Sequence, residues 1–461
     1  MLHVYNSLTR QKDLFKPHNK NKVSMYVCGP TVYDFIHMGN ARSFTAFDTI
    51  VRYLKFSGYE VNYVRNITDI DDKIIKRALV NNESFSVVTE RFTQAFRDDM
   101  KALGLLSPTH EPRATEFVSE IVALIEQLIA AKKAYIAENG DVYYEVRQFE
   151  SYGCLSHRNI DELESGARVE VSEVKRDPLD FVLWKMAKPD EPSWDSPWGK
   201  GRPGWHIECS AMSMKLLGES FDLHGGGRDL IFPHHENEIA QSEGVTQQPF
   251  VKYWLHAGYL QMDQEKMSKS LGNFFTLRDV LKNHSAEVLR FFFLSSHYRS
   301  PLSYSEEALV RSRQSLERLY NACRDFPHDN IKPSLENDFA KRFIVAMDDD
   351  FNTPIACSVL FDLAHYIQKT RETNSEEALQ SVALLRHLAG VLGFLQQDVE
   401  QFLQGQVVSD EAERIEALIA ARDAARANKD WALADRIRNQ LIEENIVLED
   451  GEGGTRWKRG G

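Results

Sequence analysis

The chain has 461 residues, which at about 150 residues per domain predicts roughly three domains and excludes a single small module. Apolar residues make up 43% and charged residues 27%, a composition that excludes extensive disorder. The formal net charge of −13 argues against polyanion binding by bulk attraction, although a restricted basic surface can still bind nucleic acid.

The cysteine content and the hydropathy of the sequence indicate the cellular compartment of the protein. Five scattered cysteines are too few for a disulfide framework in a chain of this size. The N-terminal stretch lacks the apolar core of a signal peptide, and no apolar run approaches the about 18 residues that span a bilayer. We therefore expect a reducing, cytoplasmic compartment, no membrane association, and cysteines that serve a metal or chemistry rather than bridges.

The first 80 residues alternate strand and helix signals. Val23–Val27 predicts a strand, Ala41–Phe56 a helix that closes at Gly58, and Val61–Asn66 a second strand. This order predicts a βαβ unit, and hence a parallel sheet that binds ligands at the carboxyl ends of its strands.

The tetrapeptide His37-Met38-Gly39-Asn40 lies between the first strand and the first helix. A helix N-terminus favours an anionic ligand, and Gly39 has no Cβ to obstruct a base or phosphate. Taken alone, the tetrapeptide is explained as well by a plain loop-to-helix turn. The chain contains neither a dinucleotide fingerprint nor a P-loop pattern.

The middle of the chain predicts an insertion followed by a return to α/β structure. Residues 82–135 have the periodicity of amphipathic helices, and 175–205, rich in Pro, Gly and Trp, predict a long ordered loop. The predicted elements that follow are a helix from Glu208 to Leu217, a strand Phe221–His224, a turn Gly225–Gly227, a helix from Pro233 and a strand Tyr253–Met262.

A candidate metal site combines distant residues. His234 and Glu238 are four residues apart on a predicted helix, so that both project from one face. Cys28 ends the first strand and Cys209 begins a later helix, and a Cys/Cys/His/Glu set suits Zn²⁺. Because the spacing is not local, other residues stay open as ligands, each with a structural role as the simpler explanation: His206, His224, His235 and Glu236.

The string Lys266-Met267-Ser268-Lys269-Ser270 follows a predicted strand. Two lysines on such a loop could bring mobile positive charge to a phosphoryl group in a transition state. Alone, the string is typical of a solvated loop. Its combination with the His-x-Gly-Asn turn favours a phosphate-handling site.

The C-terminal third is predicted to be mainly helical. Residues 305–398 predict an α-helical bundle, and about 50 residues after it predict two charged helices and a hairpin. Trp431, Ala434, Ile437 and Leu441 form an apolar stripe at helical spacing, which is also the pattern of a core-facing helix.

The tetrapeptide at 37–40 and the pentapeptide at 266–270 resemble the two signature motifs of class I aminoacyl-tRNA synthetases. Asn40 stands where that family has its second histidine, so a phosphate contact there is expected to be neutral. Longer strings are similar to those of bacterial cysteinyl-tRNA synthetases over essentially the whole chain, among them MYVCGPTVYDFIHMGNAR, GRPGWHIECSAM, HGGGRDLIFPHHENEIAQSE and KMSKSLGNFFTLRDVL.

This resemblance implies an α/β fold with three parts. A Rossmann-type parallel-sheet catalytic domain over 1–300 would carry an insertion at roughly 110–200 and the lysine loop at 266–270. An α-helical bundle over 301–400 and a small mixed α/β anticodon-binding module over 401–461 would follow. The implied protein is a monomer that activates L-cysteine with ATP, releases pyrophosphate and transfers cysteine to the 3′ end of its tRNA, with Mg²⁺ accompanying ATP.

The resemblance also implies roles for individual residues. One Zn²⁺ per chain would be held by Cys28, Cys209, His234 and Glu238. The catalytic residues would be His37, Lys266 and Lys269. ATP would contact His37, Gly39, Asn40, His224, Gly225, Gly226, Gly227 and Lys269. Thr68 and Trp205 would contact cysteine, and Arg426, Trp431 and Asp435 the anticodon. The remaining cysteines, Cys154, Cys323 and Cys357, are expected to be packing residues.

In this interpretation zinc selects the substrate thiol over the nearly isosteric hydroxyl of serine, because an apolar pocket separates such pairs only weakly. One alternative is a related ligase that transfers cysteine to a small amine, but such relatives lack the C-terminal anticodon domain, whereas this chain has about 150 residues beyond the catalytic part. A non-catalytic RNA- or zinc-binding protein of the same fold is a second alternative, which would be expected to lose Lys266 and Lys269.

Overall fold

The computed structural model describes residues 1–159, 174–262, 265–266, 275–327, 331–405, 409–451 and 454–459. The chain forms two compact units. Unit 1 contains Met1–Ala286, Phe293–Tyr304 and Val345–Pro354, and unit 2 contains Glu287–Phe292, Ser305–Ile344 and Ile355–Gly461. Among the helices of the described residues, none combines the length and the apolar character needed to cross a membrane.

The strands are, in chain order, β1 (His3–Asn6), β2 (Gln11–Leu14), β3 (Lys22–Val27), β4 (Glu60–Arg65), β5 (Ala134–Ile136), β6 (Val142–Tyr144), β7 (Phe181–Met186), β8 (Gly201–Pro203), β9 (Phe221–Gly227), β10 (Val251–Ala257), β11 (Leu260–Met262), β12 (Glu265–Lys266), β13 (Leu302–Ser303), β14 (Ile446–Gly451) and β15 (Gly454–Arg459).

The α-helices are α1 (Met38–Phe56), α2 (Asp72–Asn81), α3 (Phe85–Ala102), α4 (Val118–Ala130), α5 (Trp205–Leu217), α6 (Glu236–Thr246), α7 (Leu277–Leu281), α8 (Ala286–Leu294), α9 (Glu306–Cys323), α10 (Asp338–Asp348), α11 (Thr353–Thr370), α12 (Ser375–Val391), α13 (Val399–Gln404), α14 (Ser409–Ala427) and α15 (Trp431–Glu443).

A parallel sheet in the order β10-β9-β3-β4 organises unit 1. β3 is an apolar run whose last three residues are buried, and α1 crosses from β3 to β4 with its apolar side inside. The predicted βαβ unit and parallel sheet are therefore confirmed. The carboxyl ends of β3, β9 and β10 lie side by side, which brings together residues that are more than 200 positions apart.

Two stretches that were predicted to be irregular contain strands. Gly225–Gly227 continue β9, because Leu255–Ala257 of β10 pair with them in parallel register. Within 175–205, β7 and β8 join β5 and β6 in an antiparallel sheet in the order β5-β6-β7-β8. This sheet packs with α4 and α5 around a core that includes Trp184 and Tyr144, so the insertion has a hydrophobic core.

Unit 2 contains most of the predicted bundle, apart from Val345–Pro354, and the C-terminal hairpin of β14 and β15. α14, α15 and the hairpin enclose a small core of their own, which contains Ile415, Ile437, Leu441 and Trp457. The division of the chain into three domains at 300 and 400 stays a prediction.

Candidate active site

The N-terminus of α1 is shaped by a reciprocal pair of hydrogen bonds. His37 is the N-cap residue, and its Nδ1 accepts a hydrogen bond of 3.2 Å from the backbone N–H of Asn40. The Asn40 side-chain oxygen in turn accepts from the backbone N–H of His37 at 3.3 Å. Because Nδ1 is an acceptor, a neutral His37 ring carries its proton on Nε2. Asn40 thus closes a capping box that orients the His37 ring.

Glycines at the site are required by close packing. A Cβ on Gly39 would lie 3.0 Å from Cε1 and Nδ1 of His37. A Cβ on Gly225 would lie 2.3 Å from the Phe47 ring of α1, and one on Gly226 would lie 2.8 Å from the His235 ring. Successive residues of a strand face opposite sides of the sheet. Gly225 therefore faces α1, whereas Gly226 faces the histidines before α6.

Four predicted metal ligands meet at the end of β3. The sulfurs of Cys28 and Cys209 are 3.8 Å apart, and the Cys28 sulfur lies 3.7 Å from Oε1 of Glu238. Nε2 of His234 lies 3.1 Å from the same carboxylate oxygen. One donor atom from each of the four residues falls within 4.8 Å of the others, and all four residues are buried. The group can hold a metal ion.

The electrostatics of this group favour a cation. Burial raises the pKa of the Cys28 thiol well above its usual range, because a thiolate is costly in an apolar interior. Burial likewise lowers the pKa of His234, so its ring is neutral at pH 7 and can donate a lone pair. Two sulfurs and a carboxylate in one buried space are compatible only with retained protons or with a bound cation.

Two of the histidines that the sequence left open as alternative metal ligands, His224 and His235, contact the same group. His224 Nε2 lies 2.8 Å from Oε2 of Glu238, and His235 Nε2 lies 3.3 Å from the Cys28 sulfur. Together with Cys28 and Glu238 they form a second set with metal-ligand geometry. Two overlapping sets of residues therefore have the proximity to hold an ion.

The two other open alternatives have structural partners. His206 Nδ1 lies 3.0 Å from Nδ1 of His234 and can orient that ring. The Glu236 carboxylate accepts from the backbone N–H groups of Gly153 and Ser156, at 2.9 and 2.7 Å. In the described residues, neither His206 nor Glu236 belongs to a set with metal-ligand geometry.

Trp205 contacts the metal-binding group directly, and Thr68 is linked to it through Glu208, the neighbour of Cys209. The Trp205 ring stacks on His234 with centroids 4.2 Å apart and is 38% exposed, so it can face a ligand. Thr68 is buried and donates a hydrogen bond of 3.1 Å to Oε2 of Glu208. No sequence pattern selected Glu208, although its place before Cys209 on α5 was a usable signal.

The lysine loop is only partly described. Lys266 lies in β12, which pairs with β11, and nothing of its side chain is described. Lys269 lies outside the described residues.

The predicted anticodon residues lie in the α14–α15 hairpin. Trp431 is the first residue of α15 and is 60% exposed, whereas Ala434, Ile437 and Leu441 of the same stripe are buried. The other three residues of the stripe therefore pack in the core, as the pattern of a core-facing helix predicts, whereas Trp431 does not. Arg426 pairs with Asp450 at 2.9 Å, and Asp435 is exposed one turn after Trp431.

Comparison with known proteins extends these observations. Residues 14–314 match the family of tRNA synthetases class I (C) catalytic domains, 342–396 the DALR domain, and 409–457 the cysteinyl-tRNA ligase anticodon binding domain. The chain is 60% identical over 464 residues to the cysteine-tRNA ligase of Chromobacterium violaceum, and 56% identical over 462 residues to that of Laribacter hongkongensis. Each alignment covers 100% of both chains.

A solved structure shares the fold. Mycobacterium tuberculosis methionyl-tRNA synthetase in complex with methionyl-adenylate superimposes with a TM-score of 0.58 at 14% sequence identity. The match covers 85% of this chain and 95% of that chain.

Proposed function

The chain belongs to the cysteine-tRNA ligase family of class I aminoacyl-tRNA synthetases, and from this premise we propose how its residues perform the reaction. It is an ATP-dependent ligase that joins cysteine to tRNA. The anticodon-binding match at 409–457 speaks against a small amine as the acceptor. The observation that carries the proposal is the buried group of Cys28, Cys209, His234 and Glu238 at the end of β3.

Zinc is the ion that suits this group. Zinc–sulfur bonds are about 2.3 Å long, so two cysteine sulfurs that hold one zinc ion lie less than about 4.6 Å apart. The sulfurs of Cys28 and Cys209 are 3.8 Å apart. Two thiolates favour this set over the one with His224 and His235, because zinc is borderline-soft. Zinc held by these four residues would supply a direct bond to the substrate sulfur, and that bond would select cysteine over serine.

The side chains around the group would position the substrate. Trp205, stacked on His234, would cover the cysteine side chain. Thr68, held by Glu208, would contact the polar end of the amino acid. Because serine and cysteine have nearly the same shape, these contacts would align both substrates alike and leave discrimination to the metal-binding group.

Adenylation needs no protein nucleophile. A carboxylate oxygen of cysteine attacks the α-phosphorus of ATP, and pyrophosphate leaves with the electron pair of the broken P–O bond. Nε2–H of His37 would donate to a phosphate oxygen, Gly39 would admit the adenine, and Asn40 would keep the His37 ring in place. Lys266 and Lys269 would stabilise the charge on the phosphates, and Mg²⁺ would enter with ATP.

Gly225, Gly226 and Gly227 would let the adenylate approach β9. The side chain of His224 is engaged with Glu238, so its contact with ATP would come from its backbone. Transfer to tRNA would be guided by Arg426, Trp431 and Asp435, which would address unpaired anticodon bases. We further propose that the protein acts as a monomer in the cytoplasm.

The test is ATP–pyrophosphate exchange with each of the twenty amino acids, together with the metal content of the purified protein. We expect exchange with cysteine, little with serine, and one zinc per chain. Cys209→Ser should lower both the zinc content and the cysteine-dependent rate, by about tenfold or more, because it removes a metal ligand. Equal exchange with serine, or full activity in a protein without metal, would contradict the proposal.

Cys154→Ser is the matched control. It makes the same change of sulfur to oxygen at a half-buried cysteine outside both ligand sets. Cys154 contacts Oε1 of Glu236 at 3.5 Å, and a serine hydroxyl can still donate to that oxygen. This variant should keep its zinc and its exchange rate.

A further inference from the structure

A basic cavity in unit 1 has no part in the function described so far. Its volume is about 790 Å³, within the range of about 300–1,000 Å³ that is usual for ligand sites. In the described part of the chain, its lining includes four arginines and one carboxylate, that of Asp229. The arginines are Arg10, Arg158, Arg228 and Arg299. Such a concentration of positive charge stands out in a chain with a net charge of −13.

Three of these arginines are available to a ligand. Arg299 is held by Asp350 at 2.6 Å. Among the described residues, Arg10, Arg158 and Arg228 form no ion pair with a carboxylate, and all three are exposed. Unpaired guanidinium groups around a concave site are suited to phosphate oxygens, which they can bind with two parallel hydrogen bonds.

Aromatic rings line the cavity beside the arginines. Arg158 lies over the ring of Phe232 at 5.1 Å, and Arg299 lies over the ring of Tyr5 at 4.1 Å. The half-buried Tyr259 also lines the cavity. Rings and guanidinium planes are the surfaces on which proteins stack unpaired bases, so the lining fits a nucleotide rather than a simple inorganic anion.

The cavity lies next to the metal-binding group. His256 lines it and contacts His235 at 2.8 Å, and His235 lies 3.3 Å from the Cys28 sulfur. Arg228 follows directly on Gly227, at the carboxyl end of β9. A molecule in the cavity would therefore lie close to the site proposed for cysteine.

One wall of the cavity, at His256, lies on the face of the sheet away from α1. His256 pairs with Gly226, and Gly226 faces His235, whereas Gly225 faces Phe47 of α1. The phosphates of ATP are proposed to bind at the N-terminus of α1, near His37. Among the described residues that line the cavity His37 is absent, so the cavity fits the phosphates of a second partner better than it fits those of ATP.

We propose that this cavity receives the single-stranded 3′ end of tRNA, with Arg10, Arg158 and Arg228 on its backbone phosphates and the aromatic rings against its bases. The proposal rests on the proposed function, because it names where the tRNA substrate of that reaction meets unit 1. It assigns binding, and no chemical step, to the three arginines.

The test uses the full chain with Arg10→Gln and Arg158→Gln combined. Aminoacylation should show a KM for tRNA raised by about tenfold or more, because two charge-assisted phosphate contacts are lost. Cysteine-dependent exchange in the absence of tRNA should match that of the wild-type protein. Arg91→Gln is the matched control, since it removes an exposed arginine that pairs with Glu83 outside the cavity. It should change neither the KM for tRNA nor the exchange rate.

Binding of a tRNA that lacks its 3′-terminal nucleotides shows whether the cavity contacts the 3′ end or another part of the tRNA. The wild-type protein should bind it more weakly than intact tRNA, whereas the double variant should bind both alike. A double variant that still distinguishes the two RNAs overturns the proposal. A double variant whose exchange rate falls and whose KM for ATP rises also overturns it, because the cavity would then bind ATP. A double variant whose KM for tRNA is unchanged overturns it as well. Absence of cysteine-dependent exchange in the wild-type protein would instead contradict the proposed function.

Discussion

At residue 39 a single methyl group would reach the ring that is proposed to contact ATP. The Cβ of Gly39→Ala would lie 3.0 Å from Nδ1 of His37, so the ring must move and its hydrogen bond to the Asn40 N–H must weaken. We expect exchange to fall by about tenfold or more, since small displacements of such groups are costly. Thermal stability should be kept, because alanine is a better helix former than glycine.

Gly390→Ala provides the control for this prediction. Gly390 is also a helical glycine, in α12, but the nearest atom to a Cβ there would be 3.8 Å away, which is ordinary contact. This variant should keep its exchange rate and lose no stability. Equal exchange rates in the two variants would remove His37 from the proposed ATP site.

Residue chemistry explains why part of the site could be predicted from the sequence. His234 and Glu238 have a local spacing that places them on one face, whereas Cys28 and Cys209 could be joined to them only as one set among several, from which the family resemblance selected. The structure shows why spacing could not do this, because the ends of separate elements are brought together by the parallel sheet. Arg10 and Arg158 carry no local signal at all, since their cavity is formed from distant segments.

At the scale of the element, α15 presents an aromatic side chain to solvent. Trp431 is 60% exposed, whereas Ile437 and Leu441 fill the core of the C-terminal module. We expect Trp431→Ala to raise the KM for tRNA by about tenfold, as befits the loss of a stacking contact worth about 1–3 kcal/mol. Exchange without tRNA and the melting temperature should not change.

Ile442→Ala is the control on the same helix. Ile442 is also a large apolar residue, 53% exposed, and has no predicted contact with RNA. It should leave the KM for tRNA unchanged. If Trp431→Ala behaved in the same way, the exposed ring would have no part in tRNA binding.

Elements were predicted well where periodicity is strong and poorly where composition suggests a break. β3, α1 and β4 follow from their apolar patterns. Gly225–Gly227 suggested a turn, but hydrogen bonds to β10 hold them in β9, and their small size serves contacts with Phe47 and His235. The strand β7 lies in a segment rich in Pro and Trp, where antiparallel partners outside the local window decide the structure.

At the scale of the whole molecule, an acidic chain must bind a polyanion. The net charge of −13 repels tRNA at long range, so binding must come from restricted basic surfaces such as the cavity with Arg10, Arg158 and Arg228. Each phosphate contact releases condensed counterions, which makes the affinity fall with salt at a slope of about −0.7 to −0.9 per contact on logarithmic scales.

Three such contacts predict a slope of at least about −2 for the tRNA affinity against salt concentration. The measurement is tRNA binding from 50 to 200 mM potassium chloride, a range over which such contacts weaken strongly. The KM for cysteine in exchange should stay constant over the same range, because its proposed site is buried and the amino acid releases no condensed counterions. The Arg10→Gln and Arg158→Gln double variant should have a slope shallower by about 1.5, the share of two contacts. A wild-type slope near zero would mean that uncharged contacts dominate tRNA binding.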